Sequence, residues 1–408
     1  MVERDRVGGT TGDGDGDGDG DGGGTGTVEG LRIALVLGTS AGGVGRHVRS
    51  VAAGLVARGA RVVVLGPART AELFDFTGTG ARFAEVEISD RPRPVGDTRT
   101  VARLRRLLQG ADVVHAHGLR AGGMAAAACL RTTTGPLRFA PGGPPLVVTL
   151  HNAVIAGGMT GLAYGALERI VARGAACVLG VSPDLEQRMR SLGARSVGRA
   201  LVPAPSAGEP PGPGVRAEVR AELGVGDRPL IVTVARLADQ KGLPALLDAA
   251  AGWGRRTPRP VAVIAGDGPL EARLRDRIEA EKLPVRLLGR RSDVARLLEA
   301  ADVAVVPSVW EGQPLFVQEV LRSGRPLVAT DVGGIAELVG DAALLVPAGD
   351  TGALEETVGR VLSDPALAVR LGAAAAQRAT SLPSEDDAVD QLADLYRGLA
   401  RQPERGTR

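Results

Sequence analysis

From residue 31 onward, short apolar runs alternate with longer stretches whose apolar positions recur three and four apart. Residues 31–37 (LRIALVL), 61–65, 112–115, 146–150 and 177–181 are runs of strand length with almost no polar alternation. A strand covered on both faces, as in a parallel sheet, requires that pattern. Between them, 46–58, 98–108 and 161–173 have helical periodicity. The alternation resumes at 230–235 and 261–265 and continues through 285–288, 302–306 and 326–330. It predicts the α/β class, with doubly wound parallel sheets. Residues 203–214, Pro-Ala-Pro-Ser-Ala-Gly-Glu-Pro-Pro-Gly-Pro-Gly, interrupt the series with residues that sustain neither element. The pattern therefore predicts an N-terminal domain over 31–203, a linker over 204–214 and a C-terminal domain over 215–383. A helix over 384–399 is expected to cross back onto the first domain, and 1–30 and 400–408 are read as tails.

Composition narrows the function classes. A chain of 408 residues with 44% apolar and 24% charged residues can bury two cores. A net charge of +2 disfavours a nucleic-acid partner, and 2% aromatics leaves no base-stacking platform. Cys129 and Cys177 sit in apolar Ala/Val surroundings and read as reduced core thiols. No apolar run is long enough to cross a bilayer and no hydrophobic signal segment opens the chain, so a cytoplasmic protein is expected, with the inner membrane face open as a contact. The first 30 residues carry an Asp/Gly alternation from Asp13 to Gly22, too polar to offset its backbone entropy, and are expected to be disordered. Asp13, Asp15, Asp17 and Gly18 imitate the start of a calcium loop, but its twelfth position is Gly24 rather than Glu. No metal site is predicted.

The densest chemistry lies at 308–319, Ser-Val-Trp-Glu-Gly-Gln-Pro-Leu-Phe-Val-Gln-Glu. A strand reading over 301–307 and a helix reading over 315–324 place Glu311 at a strand-to-helix turn with Gly312 and Pro314. Glu319 falls one turn into the helix, on the face that Leu315 begins. The free amides of a helix start bind phosphate oxygens. The turn therefore suits a phosphorylated ligand that also offers hydroxyls to two acids. Arg236 and Lys241, after the strand over 230–235, could converge on one diphosphate, the Arg as a bidentate fork and the Lys as a point charge. Gly266-Asp267-Gly268-Pro269 and Leu288-Gly289-Arg290 end the next strands in turns that allow close backbone approach. Near the N-terminus, Leu37-Gly38-Thr39-Ser40-Ala41-Gly42-Gly43-Val44-Gly45 is a glycine-rich turn that lacks the Gly-x-Gly-x-x-Gly dinucleotide fingerprint. The second strand ends at Gly66-Pro67 with no acid for a ribose, which disfavours a nicotinamide-dependent dehydrogenase.

This ordered set at successive strand ends resembles the family 4 retaining glycosyltransferases of the GT-B fold, over about residues 31–399. The resemblance implies two Rossmann-like domains facing a cleft and transfer of a sugar from a nucleotide-sugar, UDP- or GDP-linked, to an acceptor hydroxyl. It implies that Arg236 and Lys241 neutralise the diphosphate and that Glu311 holds donor-sugar hydroxyls. It places Leu315 and Phe316 amides on phosphate, Glu319 on the ribose, and the Gly43 amide near the diphosphate from the opposite domain. The anomeric configuration would be retained without a protein nucleophile, a cofactor or a metal, and the nucleotide-sugar would enter as co-substrate. Glu311 and Glu319 are then not a glycosidase-type acid/base pair.

The N-terminal domain is expected to take the acceptor, which the resemblance leaves open as a glycan, lipid or small molecule of cell-envelope or glycoside synthesis. His115 and His117 end one strand and His151-Asn152 follow another. His115 reads as core, while His117 matches the family's reaction-centre histidine; His151 and Asn152 are candidates for the acceptor. His47 reads as a surface or ligand-rim residue. Arg99, Arg103 and Arg106 share a helix face opposite Val101, Leu104 and Leu107; a solvated face is the simpler reading and an anionic membrane the alternative. One departure stands out: after Leu201-Val202-Pro203 the family usually continues Asn-Gly-x-Asp, whereas this chain has Ala204-Pro205-Ser206-Ala207. That departure keeps open a nucleotide-sugar-binding protein that has lost transfer. A nucleotide-sugar 2-epimerase shares the architecture but should carry more acids and histidines around the cleft.

Overall fold

A computed structural model of the protein describes residues 28–40, 42–89, 93–131, 140–141, 143–153, 158–205, 208 and 211–401. The Asp/Gly repeat, Ala41, Ser206, Ala207 and residues 402–408 lie outside the described residues. Strands β1 (Arg32–Leu37), β2 (Arg61–Gly66), β3 (Arg82–Glu85), β4 (Val113–His117), β5 (Leu146–Leu150), β6 (Cys177–Gly180) and β7 (Val197–Arg199) form one sheet in the order β3-β2-β1-β4-β5-β6-β7. The second sheet comprises β8 (Leu230–Val234), β9 (Val261–Ala265), β10 (Val285–Gly289), β11 (Val303–Val306), β12 (Leu327–Thr330) and β13 (Leu344–Val346), in the order β10-β9-β8-β11-β12-β13. All these pairings are parallel. Each sheet is thus doubly wound, and its order reverses beside β1 or β8, where the loops leaving the strand ends open a crevice.

The apolar runs are strands because both faces are covered. Along β8, Leu230 and Val232 enter one packing layer and Ile231 the other; β9 repeats this with Val261 and Val263 against Ala262 and Ile264. Each Val, Leu or Ile so removed from water contributes roughly 1.5–3 kcal/mol. The last helix, Glu385–Ala400, packs on the N-terminal core through Val389, Leu392, Ala393 and Tyr396. It starts with a capping box between Ser384 and Asp387, and Arg58 of the first helix pairs with Asp386 and Asp390. A Cβ on Gly54 would run against Val389 at 2.5 Å, so only glycine lets the two helices approach this closely.

Several sequence expectations shift in detail. The strand read over 112–115 runs on to His117, which puts both histidines inside β4. The first helix begins at Gly43, three residues before the expected start. His47 is not on the surface: it is 7% exposed, because a helix docked along the sheet turns that position inward. Leu107 is not on the covered face either; Thr100, Leu104 and Leu108 are buried while Leu107 is 36% exposed. Two of this helix's arginines are committed to carbonyls, Arg103 to Glu85 at 2.7 Å and Arg105 to Ala127 and Ala128. No helix among the described residues is long and apolar enough to cross a membrane.

Candidate active site

The loops that leave β8, β9, β10 and β11 interlock. After β8 the chain makes one 3₁₀ turn, Asp239–Lys241, closed by Gly242 at φ +61°. A Cβ there would collide with the Pro307 carbonyl oxygen, so glycine is what seats this turn on the end of β11. Two bonds clamp it: Val309 N–H donates to the Gln240 carbonyl at 2.8 Å and Gln240 Nε2 to the Trp310 carbonyl at 3.0 Å. Lys241 is thereby delivered to Glu311, Nζ to Oε1 at 2.6 Å. Ser308 Oγ donates to the same oxygen at 2.6 Å. Glu311 is 6% exposed, and a carboxylate removed from water needs such partners to offset its lost hydration.

The neighbouring turns are held by backbone. Gly266 N–H donates to Gly289 O at 2.7 Å and Leu237 N–H to Asp267 O at 2.8 Å. Gly266 adopts φ +145°, and a side chain would strike the Ala235 carbonyl. Asp267, Arg236 and Arg290 are exposed around these turns, and the Arg236 side chain has no hydrogen bond or ion pair among the described residues. The helix Leu315–Arg322 begins at Pro314, whose missing N–H would have no helical partner there. Phe316 packs into the core, and Glu319 is half-buried with its carboxyl raised above the usual range by burial, against the opposing pull of Arg46 and Arg322. From the N-terminal domain Gly43 lies so close that a Cβ on it would sit 3.4 Å from Leu315. Gly312 is tighter still on the other side, where a Cβ would lie 2.3 Å from Val181.

The opposite wall carries a cluster of neutral rings, with Arg46 at its rim. His115, His117, His151 and His47 gather at the ends of β4 and β5 and on the first helix. His117 Nδ1 lies 3.2 Å from His151 Nε2, while His117 Nε2 is buried with no partner. Burial pushes His47 down to about 4 and His115 to about 3, and holds His117 and His151 well below the ordinary histidine value. All four rings are therefore neutral at pH 7. Asn152, beside His151, is exposed. Among the described residues no group of three or more His, Cys, Asp or Glu is arranged to hold a metal ion.

The interdomain crossing carries side chains that the motif reading passed over. Gln313 accepts from Val202 N–H at 2.8 Å and donates to Ala200 O at 2.5 Å. Gln318 accepts from Ala204 N–H at 2.7 Å and donates to Val202 O at 2.9 Å, and Arg322 donates to the carbonyls of Ala204 and Pro205. Ala204, expected to open a linker, is fully buried. Trp310 Nε1 donates to Asp184 at 2.8 Å and Arg199 pairs with Glu337 at 2.6 Å, both across the domains. Ser308, Gln313 and Gln318 lie within the 308–319 stretch, so its polar residues before and between the two acids were the available signal; for Arg322 there was none. A small cavity between the domains is lined by Gly43, Arg46, His47, Pro203, Leu315 and Glu385. A wider hollow at the far end of the second sheet has its arginines, Arg216 and Arg220, committed to Asp302.

Comparison with known proteins agrees with this layout. Residues 42–205 match the glycosyl transferase 4-like domain, and residues 215–378 match glycosyl transferases group 1. The chain is 35% identical over 190 residues to the alpha-D-kanosaminyltransferase of Streptomyces kanamyceticus, covering 45% of this chain and 49% of that one. It is 31% identical over 255 residues to a GDP-mannose-dependent alpha-(1-6)-phosphatidylinositol monomannoside mannosyltransferase of Mycolicibacterium smegmatis, covering 59% and 66%. The matched segments span from about half to just under two-thirds of these two relatives' length. In fold, the chain is similar to Anabaena Alr3699/HepE, solved with UDP and glucose, at TM-score 0.72 and 20% identity over 90% of this chain and 99% of that one. The chain belongs to the family 4 glycosyltransferases of the GT-B fold.

Proposed function

We propose that the protein transfers a sugar from a nucleoside diphosphate donor to an acceptor hydroxyl with retention of anomeric configuration. The observation that carries this reading is the Lys241–Glu311 ion pair at 2.6 Å, set among glycine turns at the mouth of the second sheet. Arg236, exposed and uncommitted, and Lys241 meet the charge that builds on the departing diphosphate, commonly the largest catalytic contribution. In this reading no metal is needed for that task. Lys241 and Ser308 both donate to Glu311 Oε1 and hold its carboxyl group in place, and Glu311 orients the donor sugar by its hydroxyls. The amides of Leu315 and Phe316 and the Gly43 amide contact phosphate, Glu319 takes the ribose hydroxyls, and Gly266, Asp267, Gly268, Gly289, Arg290, Gly312 and Pro314 shape the pocket around them.

His117 faces the reaction centre from the N-terminal domain, with the acceptor beside His151 and Asn152. The acceptor oxygen attacks on the face the leaving group vacates, and the leaving phosphate oxygen takes its proton. One relative is named for transfer to a phosphatidylinositol monomannoside, which supports a lipid headgroup among the acceptors to test, beside glycans and small molecules. Incubation with UDP-, GDP- and ADP-sugars, with and without such acceptors, tests the reading. The expected result is nucleotide release with one base and a product whose anomeric proton coupling matches the donor's. Donor binding without release for every acceptor and for water would leave a binding protein instead.

A further inference from the structure

All four histidines of the chain lie in one buried cluster, and its innermost member is tied to the last helix. His115 is fully buried, and both of its ring nitrogens are engaged: Nδ1 with Tyr396 Oη at 2.5 Å and Nε2 with Thr149 Oγ1 at 2.7 Å. A neutral imidazole has one N–H and one lone pair, and hydroxyl partners at both ends use both, so the ring plane is fixed. On that plane rests His117, with ring centroids 4.1 Å apart and planes inclined by 35°. His117 itself has a single in-plane hold, the 3.2 Å contact to His151, and its Nε2 is unpartnered. His47 and His151 also pack on His117, at centroid distances of 5.7 and 5.4 Å, so the 4.1 Å contact with His115 is the shortest ring support for the histidine whose Nε2 has no partner.

We propose that Tyr396 and His115 are positioning residues for His117, so that the helix Glu385–Ala400 completes the reaction centre of the opposite domain. The proposal rests on the transferase reading of His117. Tyr396 has no exposure and packs edge-on to His115, centroids 5.7 Å apart. A phenylalanine would fill the same space with the same apolar contact; the hydroxyl serves His115. Burial also keeps this phenol well above its ordinary ionisation range, so that it remains a donor at neutral pH. Tyr396 lies 281 positions from His115 along the chain. The segment that follows the donor domain thus returns to supply a group to the acceptor side.

The test uses Tyr396→Phe and Thr149→Val in the full chain, each removing one anchor of His115 while keeping its volume. Nucleotide-release kinetics are read beside imidazole nitrogen NMR, to which every histidine of the cluster contributes separately. The expected result is a folded protein with kcat lower by about tenfold, a donor KM within about twofold of the parent, and displaced His115 and His117 signals. His117 signals that stay in place in both variants overturn the proposal, whether or not kcat falls. Should the parent protein release no nucleotide from any donor, the transferase reading fails, and the His117 signals alone decide: displacement supports the positioning role and constancy overturns it.

Discussion

The two walls of the cleft solve opposite electrostatic problems. On the C-terminal side a buried carboxylate, Glu311, is matched by a cation and a hydroxyl that converge on one oxygen. On the N-terminal side four histidines are kept neutral by burial and by one another. The charged wall suits a diphosphate whose charge must be matched. The neutral wall can place hydrogen-bonding nitrogens beside a sugar without adding a charge that competes with the leaving group. The difference teaches that one cleft divides its work between a wall that stabilises charge and a wall that orients.

The comparison breaks most sharply at Lys241. Lys241→Ala removes the cation from the leaving group and leaves Glu311 with Ser308 alone. Turnover is expected to fall about a thousandfold or more, and stability by about 2 kcal/mol because the orphaned carboxylate is buried. Nucleotide release and denaturant unfolding measure the two losses.

Acid attacks the other wall. The folded protein holds His47 near 4 and His115 near 3, below the unfolded value of 6.5. Such depressed groups contribute stability that is fully present above the unfolded value and is lost as pH falls toward the folded ones. For His47 alone that difference corresponds to about 3 kcal/mol. Glu319, raised by burial, works in the opposite sense and offsets a part. The thermal midpoint should drop steeply between pH 6.5 and 4; a flat profile over that window would mean the histidines are hydrated.

Smaller effects test how the walls are held together. Gly266→Ala must adopt φ +145° against the Ala235 carbonyl and should cost at least about 2 kcal/mol. Calorimetry together with the donor KM reads whether the turn shifts. Arg322→Ala frees the carbonyls of Ala204 and Pro205 and should cost about 1 kcal/mol. Because these contacts fix the interdomain crossing, KM should change more than kcat.

The legibility of the two walls differs for the same physical reason that their chemistry does. Glu311, Arg236 and Lys241 sit in the turns that follow strands, and Glu319 lies one turn into the helix after Glu311; each set is contiguous in the chain, so short motifs expose them. The doubly wound sheets were likewise legible, because strands covered on both faces leave continuous apolar runs. What stayed hidden is assembled by tertiary packing. That Lys241 meets Glu311 directly depends on Gly242 seating its turn against Pro307. His47 reads as exposed until the helix docks, and Tyr396 carries no local sign of its bond to His115. Gln313 and Gln318 stand between the two acids, but their clamp with Arg322 on residues 200–205 stayed hidden, since Ala204 in a Pro-rich stretch reads as linker rather than core.

The most direct test of the central claim compares nucleotide release by the parent protein and by Lys241→Ala and Glu311→Ala, across UDP-, GDP- and ADP-sugars, with circular dichroism to verify that each is folded. The account predicts release from donors of one base by the parent and almost none by either folded variant. Undiminished release by a folded variant would contradict it, because the charge on the leaving diphosphate would then be met elsewhere.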